Sequence, residues 1–128
     1  MFVARAASYI RTDPEGELPS EQEQWTSVES YAAANGHELV AAYEDLEATG
    51  TLLYHRPGLK EAIINIKELE DWEVLIVAYP RCVSDTESAL HELVHKLSLY
   101  GNRLECPTRS WEDFLSAMKA YRRAMSRR

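Results

Sequence analysis

Val74-Leu75-Ile76-Val77-Ala78-Tyr79 is an uninterrupted apolar run, with no alternation of polar and apolar positions. A strand of that kind is apolar on both faces and belongs in the middle of a parallel sheet covered on two sides. Just upstream, Arg56-Pro57-Gly58 leads into Leu59, Ile63, Ile66 and Leu69 at helical spacing, which predicts a helix lying on that sheet. Further back, residues 39–43 read as a strand. Before it, Pro19-Ser20 opens a helix with Glu21 and Glu23 in its first turn, Trp25, Val28, Tyr31 and Ala32 on its apolar side, and Asn35-Gly36 as its stop. Residues 4–11 form the first strand, closed by Asp13-Pro14-Glu15-Gly16. Downstream of the run, Pro80 to Ser84 breaks the pattern, and residues 85–100 carry Leu90, Leu93, Val94 and Leu97 on one helical face. Gly101-Asn102 ends that helix, and residues 103–106 suit a fourth strand. Thr108 or Ser110 then caps a last helix striped by Trp111, Phe114, Leu115, Met118, Tyr121 and Met125.

The order βαβαβαβα predicts an α/β fold: a mostly parallel sheet of four to five strands with helices on both faces, because right-handed crossovers place them there. Residues 1–108 make up this unit. Residues 109–128 add a C-terminal helix that packs on it or on a second copy through Trp111, Phe114, Leu115, Met118 and Met125.

The 128 residues are 45% hydrophobic, with a net charge of −7 and a mean hydropathy of −0.39, values that suit one globular domain. No apolar run approaches the roughly 18 residues of a spanning helix, and the first nine residues hold no signal-peptide core. The expected setting is therefore the cytoplasm, with no membrane partner, and Cys82 and Cys106 are expected as free thiols. Charge is uneven: residues 1–108 have 8 basic and 19 acidic side chains, a charge of −11, while residues 109–128 carry +4. A body this acidic repels phosphate at long range, so DNA contact has to come from a local basic pocket or from the C-terminal helix, where Lys119, Arg122, Arg123, Arg127 and Arg128 lie. Those cations also suit the negative end of a helix dipole.

In parallel sheets, ligands sit at the carboxyl ends of the strands. The loops expected there hold Arg11, Asp45, Arg56 and Arg81, with Tyr9 two residues before Arg11. Guanidiniums converging at one mouth form an anion site, because each offers a planar fork to phosphate oxygens.

The arrangement resembles the catalytic domain of serine recombinases, the resolvase and invertase family. Ala7-Ser8-Tyr9-Ile10-Arg11 looks like that family's first strand, which ends Y-x-R-V-S-T. Residues 29–45, ESYAAANGHELVAAYED, resemble its first helix, Asn-Gly stop and second strand. Thr49-Gly50 and Arg56-Pro57-Gly58-Leu59 are similar to its S-G and R-P-G-L elements, and residues 74–79 to the strand before its D-R-L-S-R motif. In the family a serine on the first loop attacks the DNA phosphodiester and becomes joined to the 5′ phosphate, while arginines neutralise the developing charge. The resemblance implies phosphate-binding roles for Tyr9, Arg11, Asp45, Arg56 and Arg81, and no cofactor.

The departures fall on the chemistry. Where the family has Val-Ser-Thr after the arginine, this chain has Thr12-Asp13-Pro14, so Asp13 or Thr12 stands near the lost serine. Pro80 takes the place of the aspartate before Arg81, and Ser84 that of the last arginine. The resemblance without its serine implies a non-catalytic regulatory or accessory binding protein, acting as a homo-oligomer or on a recombinase-like partner, with DNA reached through the phosphate pocket and the basic helix. The alternative is an active recombinase module in which Thr12 supplies an atypical nucleophile. A second alternative rests on His91-Glu92-Leu93-Val94-His95, a literal H-E-x-x-H. On a helix His91 and His95 lie one turn apart, able to ligate zinc with Glu92 as general base; Cys106, Glu112 or Asp113 would supply the third ligand.

Overall fold

The computed structural model describes residues 4–48, 55–68 and 71–127. Thr49, Gly50, Leu69 and Arg128, named above, lie outside them. From Ala6 onward the first strand, β1 (Arg5–Arg11), is buried at every position, so it shares the centre of the sheet with the apolar run. After β1 come α1 (Glu21–Ala34), β2 (Glu38–Asp45), α2 (Pro57–Glu68), β3 (Val74–Ile76), α3 (Pro80–Val83), α4 (Glu87–Leu99), β4 (Arg103–Glu105) and α5 (Trp111–Ser126). The described strands form one sheet of order β2-β1-β3-β4, parallel throughout.

Alternation along β1 divides the core. Ala4 and Ala6 pack with Val28 and Ala32 of α1 and with Val74 and Ile76. Ala7 and Tyr9 face the larger cluster, where Leu59 and Ile63 of α2, Leu93 and Leu97 of α4 and Phe114 of α5 meet Leu75 and Leu104. Helices therefore cover both faces, α1 on one and α2, α4 and α5 on the other. Three helices begin on hydroxyl caps: Ser20 accepts from Glu23 N–H at 3.2 Å, Thr86 from Ala89 N–H at 3.4 Å and Ser110 from Asp113 N–H at 3.2 Å. The Ser20 hydroxyl also donates to the Glu23 carboxylate at 3.1 Å. Of the two caps read for the last helix, Ser110 is the one used.

Several details differ from the sequence reading. The buried line of α1 is Gln24, Val28 and Ala32, one position around from a stripe led by Trp25, because a buried polar partner needs the Gln24 amide. Only Val74–Ile76 pairs as a strand. Val77 N–H still donates to the Glu105 carbonyl at 3.1 Å, and the chain then turns into α3, with Pro80 in its first turn. The stretch read as a break thus contains a helical turn. On α5, Phe114 and Met118 are buried in the chain's own core, and Trp111 and Leu115 are half-buried against it. Met125 is 44% exposed. No described helix is long and apolar enough to cross a membrane.

Candidate phosphate-binding site

The carboxyl ends of β1 and β2 lie side by side, with Tyr9 opposite Tyr43 and Arg11 opposite Asp45. Tyr9 and Arg11 share a face of β1, and that face meets the N-terminus of α2 and the turn of α3. Asp45 ties the corner together. Its Oδ1 accepts from Gly58 N–H at 2.8 Å, and its Oδ2 accepts from Leu59 N–H at 2.9 Å and from the Tyr9 hydroxyl at 2.7 Å. A carboxylate on the free amides of a first helical turn is stabilised by the helix dipole. Gly58 is required because α2 starts against β2: a Cβ there would collide with the Glu44 carbonyl.

Arg11 is fully buried and makes four hydrogen bonds. Nε donates to the Cys82 carbonyl at 3.1 Å, Nη1 to the Ala48 carbonyl at 2.8 Å, and Nη2 to the Arg81 carbonyl at 2.6 Å and to Asp85 Oδ1 at 2.9 Å. Its backbone is gripped by Gln24, whose side chain accepts from Arg11 N–H and donates to the Arg11 carbonyl. Burial would raise the Asp85 carboxyl, but Arg11, helped by Arg81, holds it below the usual carboxylate range.

Arg56, 1% exposed, approaches from the other side. Its Nη1 donates to the Tyr9 hydroxyl at 3.3 Å and to the Cys82 carbonyl at 3.5 Å, while Nε and Nη2 have no partner among the described residues. Burial lowers the guanidinium from its ordinary value against the pull of Tyr9 and Asp45. Burial also holds the Tyr9 phenol far above its usual range, with Arg56 opposing and Asp45 reinforcing the shift, so Tyr9 remains a donor. Arg11 and Arg56 therefore converge on one carbonyl, with Tyr9 bonded to Arg56 and linking it to Asp45.

The other predicted residues lie around this network. Arg81 points outward, half-exposed, paired with Glu17 and, at 3.1 Å, with Asp85. The hydrogen bonds it donates to Glu17 and Asp85 raise its pKa further. The Thr12 hydroxyl accepts from Glu47 N–H at 2.8 Å. Asp13 accepts from Leu18 N–H at 3.0 Å and Glu17 N–H at 3.1 Å, and the Leu18 bond above all keeps its carboxyl below the usual range. Sequence reasoning missed Gln24 and Asp85. The spacing of Arg81 and Asp85 was a signal for an i,i+4 pair; nothing marked Gln24.

The H-E-x-x-H helix does not assemble a zinc site among the described residues. His91 is buried, its Nε2 is 3.2 Å from Glu87 Oε1, and its ring lies 4.6 Å from that of Tyr121. His95 opens onto a groove shared with Lys119, Arg122 and Arg123, cations that oppose a divalent ion. No group of three or more described His, Cys, Asp or Glu side chains is placed to hold a metal.

The family model described as Resolvase, N terminal domain, matches residues 6–127, and the chain belongs to that family. Solved structures share its fold. The N-terminal catalytic domain of TP901-1 integrase superposes with a TM-score of 0.81 at 20% identity, over 96% of this chain and 97% of that one. A resolvase family site-specific recombinase from Streptococcus pneumoniae gives 0.72 at 18% identity, over 96% and 88%. The C-terminal catalytic domain of ISC1926 TnpA, an IS607-like serine recombinase, gives 0.68 at 22% identity, over 80% and 69%. No curated protein matches the chain.

Proposed function

We propose that this resolvase-family domain binds a phosphate-bearing partner without cutting it, and acts as a regulatory or accessory protein in DNA recombination. The observation that carries the reading is the occupation of the serine's place. Thr12 and Asp13 both spend their side chains on backbone amides of neighbouring loops, and Asp13 adds a negative charge where a phosphate would approach. Pro80 and Ser84, standing for an aspartate and an arginine, remove two further groups from the chemistry. What favours retained anion binding is Arg56, whose two nitrogens without a partner among the described residues are an unmet demand for an acceptor.

Binding without cleavage is tested by titrating duplex DNA and supercoiled plasmid at several salt concentrations. The expected result is DNA binding that falls steeply as salt rises, is weakened by Arg56→Met, and leaves the plasmid supercoiled. Relaxed or cut plasmid, abolished by Thr12→Ala, would instead establish an active module with an atypical nucleophile. Absence of any DNA affinity at low salt would move the function to a protein partner.

A further inference from the structure

Tyr9 and Arg11 use only one face of the sheet. On the other face, Ser8 and Ile10 of β1 stand beside Ala42 and Glu44 of the edge strand β2. Helix α1 covers them incompletely: Ala42 and Glu44 are exposed, and Trp25 of α1 is half-buried. The gap between α1 and β2 is a groove of about 820 Å³, lined among others by Ser8, Ile10, Glu21, Trp25, Ala42 and Glu44. That volume lies in the range of small-molecule sites.

Three observations give the groove its chemistry. Its acids are free of cations: Glu23 of the first turn of α1 bonds the Ser20 hydroxyl, whereas Glu21 and, across the groove, Glu44 have no ion pair among the described residues. No basic side chain lines the groove, and residues 12–55, which supply α1 and β2, hold ten acidic side chains and no lysine or arginine. At the floor, the Ser8 hydroxyl is fully buried and has no hydrogen-bond partner among the described residues. A buried hydroxyl left unbonded costs free energy that a ligand's hydrogen bond returns. Between these polar points Ile10, Trp25 and Ala42 offer apolar surface, and an indole ring attracts cations to its face.

We infer that the groove between α1 and β2 binds an aliphatic polyamine, a methylene chain carrying several ammonium groups. Glu21 on α1 and Glu44 on β2 pair with its terminal ammonium groups. The methylenes lie on Ile10, Trp25 and Ala42, and an internal ammonium donates to the Ser8 hydroxyl. The same two carboxylates repel phosphate and other anions, and a neutral apolar ligand would leave the Ser8 hydroxyl unbonded and the carboxylates partly desolvated. The groove lies across the sheet from Arg56 and its Tyr9 partner, so the inference stands whether or not that pocket takes an anion.

Calorimetric titration of the full chain with spermidine tests this. A single saturable site is expected, weakening as salt rises, with butylamine, which has one ammonium, bound about tenfold or more less tightly. Glu21→Gln with Glu44→Gln should weaken spermidine binding by about tenfold or more, whereas Glu15→Gln with Glu29→Gln, the same loss of charge outside the groove, should change it by less than about twofold. Ala42→Leu narrows the groove at an exposed position without altering charge, and should also weaken binding by about tenfold, which keeps the test open if the paired groove variant fails to fold. Ser8→Ala should weaken binding without lowering the urea midpoint, because it removes a hydroxyl that no described group satisfies. No saturable uptake of spermidine up to about 10 mM, or equal losses from the two paired acid variants, would overturn the inference, the latter by showing only diffuse attraction to an acidic body.

Discussion

Arg11 and Arg56 both reach the Cys82 carbonyl and both are buried, yet every side-chain nitrogen of Arg11 has an acceptor in its own chain, whereas two nitrogens of Arg56 have none among the described residues. Their substitutions should therefore differ. Arg11→Met leaves three carbonyls and the Asp85 carboxylate short of a donor, and should cost about 3 kcal/mol or more in urea unfolding. Arg56→Met removes two unsatisfied donors, so it should cost much less, while anion affinity falls; equal losses of stability would show that Arg56 is merely structural. Acid stability follows from Asp13 and Asp85, both held below the usual carboxylate range. Such groups favour the folded state above their unfolded pKa of about 3.9, and that stability is lost as pH falls through the lower folded value. Asp13→Asn should therefore flatten the decline of melting temperature below about pH 4, and an unchanged profile would contradict the amide cap.

At the scale of elements, the contact of α2 with β2 depends on Gly58 and Asp45. Gly58→Ala should cost about 1–3 kcal/mol through overpacking against the Glu44 carbonyl, measured as a fall in the denaturation midpoint. On α5 the division between core and open surface predicts about 2–5 kcal/mol for Phe114→Ala or Met118→Ala and, in dilute monomer, no more than about 0.5 kcal/mol for Met125→Ala. The alternation of strands and helices was legible because both signals are periodic and local: the apolar run at 74–79 and the stripe at Leu90, Leu93, Val94 and Leu97 needed no knowledge of neighbours. The extent of β3 was not, since three apolar residues beyond Ile76 read like strand until Pro80 turns the chain. The gathering of Tyr9, Asp45 and Arg56 followed from where parallel strands end. That Arg81 faces outward did not, because its direction is set by Glu17, 64 residues away, and Gln24 took a place on a helix where sequence patterning expects an apolar residue.

Across the whole molecule, an acidic body is joined to a basic helix end. Phosphate has access only where arginines locally outweigh the surrounding carboxylates, and the most open cationic surface is at the far end of α5. Neutralising Lys119, Arg122 and Arg123 to glutamine should therefore weaken DNA binding in low salt and reduce its salt slope by up to about three, and an unchanged slope would confine DNA contact to the strand-end pocket. The central claim is that the cluster grips an anion while the reactive hydroxyl is gone. It is tested most directly by incubating the chain with duplex DNA, denaturing the mixture, and recording the intact protein mass. An unshifted mass is predicted; a heavier species carrying a DNA strand in ester linkage, absent from Thr12→Ala, would contradict it.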